Sequence, residues 1–433
     1  MGYKKVGQKK LYNGDSLYEF KLDNGLRVLL VPRHQAKVVT YQTWFRVGSV
    51  NEKLDAKLKK TGLAHLFEHM MFRGTDKYPD GKFDELSARM GANQQNATTY
   101  FYRTNYYQSV PSNHLEQIME MESDRMVHLN FTPESFEKEK GAVVGELRRH
   151  LDNPASMASD ELLRQVFKVE PYRYTVLGTE EEIKGFAIGE ARYFYRTYYA
   201  PNNATLIVIG DVEEAPLMKL VEKYYGGMKS QEIPVETVPD EPAQTAERKA
   251  ELTSPQATSD FLLVGYPIPA VDDPDTVPLN LLSSHLSRGT EAALQKLLVD
   301  TGIAVSADGS PGNQPDVFEF SVQLAEGHPA VEALAIIDRE LDKLRSTPIA
   351  KDSFERALNQ ELLNVYGDIT DNSQLGSWLG EYLMLCNNYM RGFQIIDDYK
   401  ALTPADLTRV VKKYFSKESR SIVIMRPEKK GKS

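Results

Sequence analysis

The residues of this chain best suited to chemistry lie in one short stretch, where His65 and His69 flank Glu68. The apolar residues around them, from Gly62 to Phe72, predict a helix. Side chains four positions apart share one face of a helix and lie about 5–6 Å apart, so both imidazoles can reach one metal ion. Glu68 leans over the same face, where its carboxylate can accept a proton.

The order of these residues, H-x-x-E-H, is the reverse of the zincin motif and is typical of inverzincin zinc peptidases. The chain contains eight histidines, so two of them at this spacing around a glutamate are improbable by chance. The alternative is that His65 and His69 are ordinary core or surface histidines and that Glu68 is a solvated charge.

A third ligand is needed, because a catalytic zinc commonly has three protein ligands and leaves a fourth position for water. Glu139 and Glu146 lie seven residues apart, which is two helical turns, and share one face of a helix predicted over Glu134 to His150. The apolar residues between them predict burial, where a carboxylate is costly unless it is paired or bound to metal. The alternative is two ordinary surface glutamates.

Composition excludes several classes of protein. The chain has 433 residues and is 41% hydrophobic, which allows roughly two to four domains. Its net charge of -9 argues against a nucleic-acid binder, which normally has a basic face. The single cysteine excludes an internal disulfide.

The sequence predicts neither an intact signal peptide nor a membrane-spanning helix. The first residues carry charge with no apolar segment after them, which predicts no intact signal peptide, and no run of about 18 apolar residues predicts a membrane-spanning helix. We therefore expect a soluble protein with no membrane partner, cytoplasmic, or periplasmic if a leader has been removed.

Residues 229–250 have the composition of a linker, and the segments on either side resemble each other. Three short matches recur at offsets of 215, 218 and 216 residues: Arg73 and Arg288, Phe136 and Phe354, and Tyr198 and Tyr414. The sequence thus predicts an internal duplication, with a metal-binding catalytic domain at 1–228 and a second homologous domain at 251–433.

Each half has strand patterns at both ends and helical patterns between them, which predicts an α+β fold. We expect two α/β-layer domains, each with a mostly antiparallel sheet packed against helices. At an offset of 215, the second half has Asn280, Ser283 and Ser284 in place of the three motif residues. It should therefore lack metal ligands.

Taken together, these motifs resemble the pitrilysin/insulinase/mitochondrial processing peptidase family of inverzincin zinc metallopeptidases, in particular its short bacterial, zinc-bearing type. In that family a glutamate ligand follows the motif at a characteristic distance, and here 76 residues separate His69 from Glu146. Further matches cover nearly the whole chain: Asn24-Gly25-Leu26, Gly48-Ser49, Gly62-Leu63-Ala64, Arg73-Gly74-Thr75, Asn96-Ala97-Thr98, Pro171-Tyr172, Gly178-Thr179, Tyr199-Ala200-Pro201-Asn202 and Gly210-Asp211.

The resemblance implies a role for each candidate residue. His65, His69 and Glu146 would bind Zn²⁺, Glu68 would be the general base, and Glu139 would orient a ligand histidine. It also implies a zinc-dependent endopeptidase that hydrolyses unfolded peptides. The stretch containing Asn96, Ala97 and Thr98 would be the edge strand to which an extended peptide substrate adds; the alternative is a polar strand with no ligand.

One departure from the family pattern concerns an Arg/Tyr pair that many members supply from the second half to hold the substrate carbonyl. Leu298 and Val305 stand at these positions, and neither side chain can donate a hydrogen bond. We expect a heterodimer in which a homologous subunit supplies the pair. The alternatives are a catalytically weak homodimer, or a non-enzymatic scaffold subunit of the same family.

Overall fold

The computed structural model describes residues 2–169, 171–235, 237–312 and 316–428. Its strands are β1 (Tyr3–Lys10), β2 (Ser16–Leu22), β3 (Arg27–Pro32), β4 (Val38–Phe45), β5 (Asn93–Thr99), β6 (Thr104–Pro111), β7 (Ala204–Gly210), β8 (Arg248–Ser254), β9 (Phe261–Pro267), β10 (Ala304–Pro311), β11 (Val317–Leu324) and β12 (Ser421–Pro427). Its helices are α1 (Ser49–Leu54), α2 (Leu63–Met70), α3 (Lys82–Arg89), α4 (Leu115–His128), α5 (Pro133–Leu151), α6 (Pro154–Val166), α7 (Glu180–Lys184), α8 (Ile188–Tyr198), α9 (Glu214–Tyr225), α10 (Thr276–Ser287), α11 (Ala330–Ser346), α12 (Lys351–Asp368), α13 (Asn372–Cys386), α14 (Arg391–Ala401) and α15 (Pro404–Tyr414).

The chain forms two compact units, and each is built from three separate segments. Unit 1 comprises Met1–Leu147, Thr175–Val238 and Gly367–Phe393. Unit 2 comprises Arg148–Tyr174, Pro239–Tyr366 and Gln394–Ser433. One unit boundary, at Val238, lies inside the predicted linker 229–250. The division into contiguous domains at 1–228 and 251–433 stays a prediction.

Unit 1 is built on a seven-stranded sheet with the order β1-β2-β3-β7-β4-β6-β5. Every neighbouring pair is antiparallel except β3 and β7. Every residue of the apolar central strand β7, Ala-Thr-Leu-Ile-Val-Ile-Gly, is buried, as expected of a strand covered on both faces. The edge strand β5 is polar, and its exposed residues suit the rim of the sheet.

Unit 2 is built on a five-stranded sheet with the order β10-β11-β9-β12-β8. The pairs are antiparallel except β12 with β8. Aromatic side chains of β9 and β11 pack against Phe415, with Tyr266 and Phe318 both at ring-centroid distances of 4.9 Å. Both units therefore have the predicted α+β class with mostly antiparallel sheets, and this prediction is confirmed.

The first half of the chain contributes α6 to the sheet of unit 2, and the second half contributes α13 to the sheet of unit 1. Helix α13 packs against β4, β6 and β7 of unit 1. A side chain at Gly380 would place its Cβ 2.2 Å from the buried Trp44 ring, so only glycine allows this approach. Arg33 donates to Thr370 O at 2.7 Å, and Arg46 donates to Met384 O at 2.6 Å, so arginines bind carbonyls near both ends of α13.

In unit 2, helix α6 packs against β8, β9 and β12. A Cβ at Gly265 of β9 would lie 3.1 Å from the Leu162 side chain, so the glycine allows a close approach of helix and sheet. Arg248 donates to Gln165 O and Val166 O, at 2.6 and 2.8 Å, which satisfies carbonyls at the end of α6. No helix among the described residues is long and apolar enough to cross a bilayer.

Candidate metal centre

Helix α2 carries the H-x-x-E-H motif, and its start is fixed by backbone geometry. Gly62 precedes the helix with φ of +93°, in the left-handed region that glycine adopts without strain. A Cβ on Gly62 would also lie 2.5 Å from Leu177 O. The helix packs its apolar residues into the core, with Leu66 and Phe67 fully buried, which leaves the motif side chains on the remaining face.

His65, His69 and Glu146 come together, although Glu146 lies on the distant helix α5. One ligand atom from each residue lies within 4.8 Å of the other two. His65 Nε2 is 3.7 Å from Glu146 Oε1, and His69 Nε2 is 3.4 Å from Glu146 Oε2. Among the described residues, this is the one cluster of three or more His, Cys, Asp or Glu side chains that can share a metal ion.

These separations fit a tetrahedral metal better than direct hydrogen bonds. Zinc–ligand distances of about 2.1 Å place the ligand atoms of a tetrahedral site about 3.4 Å apart. Hydrogen bonds between nitrogen and oxygen are shorter, roughly 2.7–3.2 Å. Two imidazoles and one carboxylate form a donor set that suits a catalytic zinc. The Glu146 side chain is 37% exposed, so the cluster is accessible to water and to a substrate.

Glu68 lies beside the cluster and is held by β5. Thr99 Oγ1 donates to Glu68 Oε2 at 2.5 Å, which fixes one carboxylate oxygen and leaves the other available. Burial raises the pKa of Glu68 against the lowering effect of Thr99. A carboxylate with a raised pKa suits general-base chemistry near neutral pH.

Glu139 is almost fully buried, with a side chain that is 1% exposed, and it faces both His69 and Arg73. Glu139 Oε2 lies 3.6 Å from His69 Nδ1, and Glu139 Oε1 lies 2.8 Å from Arg73 Nε. Burial acts to raise the pKa of Glu139, but His69 and Arg73 outweigh it and the pKa is lowered. This carboxylate stands where a partner would orient the His69 ring toward a metal.

The two histidines have opposite electrostatic environments. Burial, with a contribution from His69, lowers the pKa of His65 to about 4, so this imidazole is neutral and keeps a lone pair for a metal. Glu139 and Glu146 raise the pKa of His69 to about 9. A metal that binds at neutral pH must therefore displace a proton from His69.

The predicted substrate-binding residues Asn96, Ala97 and Thr98 lie on β5, the edge strand nearest to the cluster. Within the described residues β5 pairs only with β6, so its other edge has backbone groups that an added strand could use. Arg103 donates to Thr98 O at 3.3 Å and also forms an ion pair with Glu381 of α13. The turn after β5 is therefore anchored.

A cavity of about 640 Å³ in unit 1 contains none of the cluster residues. It lies where α4, α8 and α9 end, and its lining includes the basic side chains of Lys77, His128, Arg196, Lys223 and Lys229. Cations near helix C-termini offset the negative end of the helix dipole. Two of these side chains, Lys77 and His128, also pair with Glu120 and Asp124 of the same lining, so the basic groups need no ligand to explain them.

In unit 2, the positions that differ from the family pattern do not present hydrogen-bond donors. Leu298 is fully buried in the core, whereas Val305 is 67% exposed on the edge strand β10. Ser284, which corresponds to His69, donates a hydrogen bond to the buried Glu361. No histidine of the second half stands at a position that corresponds to His65 or His69.

Sequence reasoning did not assign a role to Thr99 or to Arg73, although both contact candidate site residues. Thr99 falls in the polar stretch that ends β5, and an alternating pattern there could have suggested that it faces α2. Arg73 lies four residues after His69, a spacing at which side chains share one side of a helix or its last turn.

Comparisons with known proteins identify the family of the chain. A family model described as "Insulinase (Peptidase family M16)" matches residues 27–180, and one described as "Peptidase M16 inactive domain" matches residues 187–361. The first match contains α2 and the whole cluster. The second contains the positions at which metal ligands are missing.

The chain is also similar to individual proteins over nearly its full length. A zinc protease PqqE of Helicobacter pylori is 28% identical over 417 residues, covering 94% of this chain and 92% of that protein. A probable mitochondrial-processing peptidase subunit beta of Arabidopsis thaliana is 22% identical, covering 91% of this chain and 75% of that protein. The crystal structure of a protease from Helicobacter pylori matches with a TM-score of 0.89 and 26% identity, covering 98% of this chain and 100% of that one. The expected family is confirmed, and the chain belongs to the insulinase family, peptidase family M16.

Proposed function

We propose that this chain is a zinc-dependent endopeptidase subunit that hydrolyses unfolded peptides. The observation that carries the proposal is the convergence of His65, His69 and Glu146 at separations that suit the edges of a zinc tetrahedron. Family membership supports zinc as the cofactor, because the similar bacterial proteins are named zinc proteases.

In this mechanism His65, His69 and Glu146 would hold the metal. Zinc bound there would supply Lewis acidity, which lowers the pKa of water from about 15.7 toward about 7. Glu68 takes a proton from the attacking water and passes it to the leaving amine. Thr99 keeps the carboxylate of Glu68 in position for both transfers, and Glu139 keeps the ring of His69 oriented.

The proposed substrate is an extended segment that adds to the open edge of β5. Main-chain hydrogen bonds from this strand would give binding without a fixed sequence, while the side chains of Asn96 and Thr98 would shape the adjacent subsites. Folded proteins offer few extended segments, which favours unfolded peptides.

We further propose that a homologous subunit completes the site. Loss of one oxyanion donor typically reduces the rate by about 10²–10³, and this chain lacks both donors at Leu298 and Val305. The burial of Leu298 supports this reading, because the position is part of the hydrophobic core here. A catalytically weak homodimer is the alternative. The complete set of ligands argues against a scaffold subunit.

The test is peptide cleavage and zinc content of the native chain and of Glu68→Gln. The variant should keep one zinc per chain, because Glu68 is not one of the proposed ligands. Its cleavage rate should fall about 10²–10⁴-fold, because the general base is removed. Ser283→Ala, at the corresponding position of the second half, is the matched control and should retain activity. A zinc-loaded Glu68→Gln protein with full activity would refute the assignment.

The same assay, run with and without a homologous subunit that carries the Arg/Tyr pair, tests the heterodimer. Addition of that subunit should raise the cleavage rate at least tenfold, since it supplies the missing donors. An unchanged rate, with full activity of the chain alone, would favour the homodimer.

A further inference from the structure

Helix α2 carries every motif residue and yet has little local support. It has only eight residues, and isolated helices shorter than about 12–15 residues are marginal in water. Its N-cap residue is Gly62, which has no side chain to bind the first N–H groups, and its first turn has no acidic residue. The orientation of the ligands therefore depends on groups outside the helix.

Glu52, ten residues before the N-cap residue Gly62, provides the missing cap. Its Oε2 accepts a hydrogen bond from the N–H of Gly62 at 2.7 Å, and its Oε1 accepts one from the N–H of Ala64 at 2.5 Å. Glu52 is fully buried. Both carboxyl oxygens thus accept hydrogen bonds at the N-terminal end of the helix, where backbone N–H groups have no partner within the helix.

We infer that Glu52 is a positioning residue of the metal centre, which fixes the first turn of α2 and through it the orientation of His65 and His69. The inference rests on the proposed function. The residue after Ala64 is His65 itself, so a displacement of this turn moves the first ligand directly. Residues that orient metal ligands typically change metal affinity 10–100-fold when they are replaced.

The two hydrogen bonds to the start of α2 require a side chain with two acceptor oxygens, as a carboxyl group has. Burial raises the pKa of Glu52 to about 8, against the lowering effect of the two N–H donors, and its oxygens keep lone pairs in either protonation form. A glutamine has one acceptor oxygen, so its amide nitrogen would face the second N–H without a bond. An alanine would leave both N–H groups without this partner.

Other contacts of the same loop distinguish the positioning role of Glu52 from general support of the fold. Asp55, three residues later, is also buried and accepts hydrogen bonds from the hydroxyls of Tyr193 and Tyr198 at 2.8 and 2.9 Å. Glu182 binds the N–H of Thr61 at 3.2 Å. Asp55 thus anchors the same loop through α8, whereas Glu52 bonds to the start of α2 itself.

The experiment compares Glu52→Ala with Asp55→Ala, its matched control. The dissociation constant for zinc is measured by competition with a chromogenic chelator, and the folded fraction is measured by circular dichroism. We expect both variants to melt at lower temperature. Glu52→Ala should raise the zinc dissociation constant 10–100-fold, Glu52→Gln should give an intermediate value, and Asp55→Ala should stay within about twofold of the native chain.

A second readout does not depend on the metal. Hydrogen exchange of residues 62–70 in metal-free protein should be faster in Glu52→Ala and unchanged in Asp55→Ala, because Glu52, unlike Asp55, accepts hydrogen bonds from the amides of Gly62 and Ala64. If either alanine variant fails to fold, Glu52→Gln and Asp55→Asn provide the same comparison.

The outcomes separate the two proposals. A native chain that binds no zinc would refute the proposed function. A native chain that binds zinc, together with a folded Glu52 variant of unchanged zinc affinity, would refute only the positioning role. Equal losses of affinity in the Glu52 and Asp55 variants would also overturn it, since they would indicate loss of general stability.

Discussion

In unit 1, the buried Glu139 of α5 lies against Arg73 and His69 at 2.8 and 3.6 Å. In unit 2, a buried glutamate of α12 lies against an arginine and against a hydroxyl of α10. These groups of unit 2 are Glu361, Arg288 and Ser284, with 3.4 Å between Arg288 Nε and Glu361 Oε1. Arg73 and Arg288 occupy matching positions of the two halves, as do His69 and Ser284.

The comparison separates the proposed metal ligands from the groups that hold helices together. A buried carboxylate paired with an arginine occurs in both units, so it has a use in helix packing where no metal ligands are present. The additions in unit 1 are the two imidazoles, since at the same offset of 215 Glu361 stands at the position of Glu146. Under the proposed function, Glu139 has two tasks, packing and ligand orientation, whereas Glu361 has only the first.

The largest expected effect is on metal binding itself. His69→Ala should reduce zinc to below one tenth of a mole per mole of chain, because two ligands cannot form the three-ligand site that a catalytic zinc needs. Ser284→Ala, at the corresponding position, should retain one zinc. Elemental analysis of both purified variants measures the zinc content, and equal zinc contents would contradict the difference between the two units.

The two carboxylates provide the next test. Glu139→Gln should raise the zinc dissociation constant about 10–100-fold, because it weakens the orientation of His69. Glu361→Gln should leave zinc affinity unchanged and lower the free energy of unfolding by about 1–3 kcal/mol, since it disturbs a buried hydrogen bond. Chelator competition and urea unfolding measure the two effects. Loss of zinc affinity in Glu361→Gln would contradict the division of tasks.

A third carboxylate shows what burial does without a cation. Burial, with a contribution from Asp308, raises the pKa of Glu319 on β11 to about 7, whereas the pKa of Glu139 beside Arg73 is lowered. Because its pKa is raised in the folded state, Glu319 makes its full contribution to stability below about pH 4.5. This contribution is lost as the pH rises through about 7.

We therefore expect Glu319→Gln to match the native chain near pH 4.5–5 and to be more stable at pH 8, by up to about 3 kcal/mol. Urea unfolding at several pH values measures the difference between the two proteins. A difference that stays constant from pH 5 to pH 8 would show that the pKa of Glu319 is not raised.

Much of the fold and of the candidate site could be predicted because their signals are local. The spacing of His65 and His69 places them on one helical face, and the seven-residue spacing of Glu139 and Glu146 does the same on α5. Strand and helix patterns were sufficient for the α+β class. Convergence of α2 and α5 needed the family resemblance, because residue spacing alone does not determine how two distant helices pack.

The features that could not be predicted depend on contacts between distant segments. Thr99 reaches Glu68 only because β5 packs beside α2, and Glu52 reaches Ala64 only because the loop between them turns back. The positions of α6 and α13 are also non-local, since an amphipathic helix does not reveal which of two sheets it will cover. The duplication suggested two contiguous halves and gave no sign of these exchanged helices.

The exchange of α13 has a consequence for synthesis on the ribosome. The sheet that supports the cluster lacks its cover over Trp44 until residues 367–393 have emerged, which is late in a chain of 433 residues. Domains commonly fold as units while translation proceeds, but here the amino-terminal half must wait for a segment from near the other end. A fragment that stops at residue 250 would expose apolar surface and aggregate rather than yield a separable peptidase.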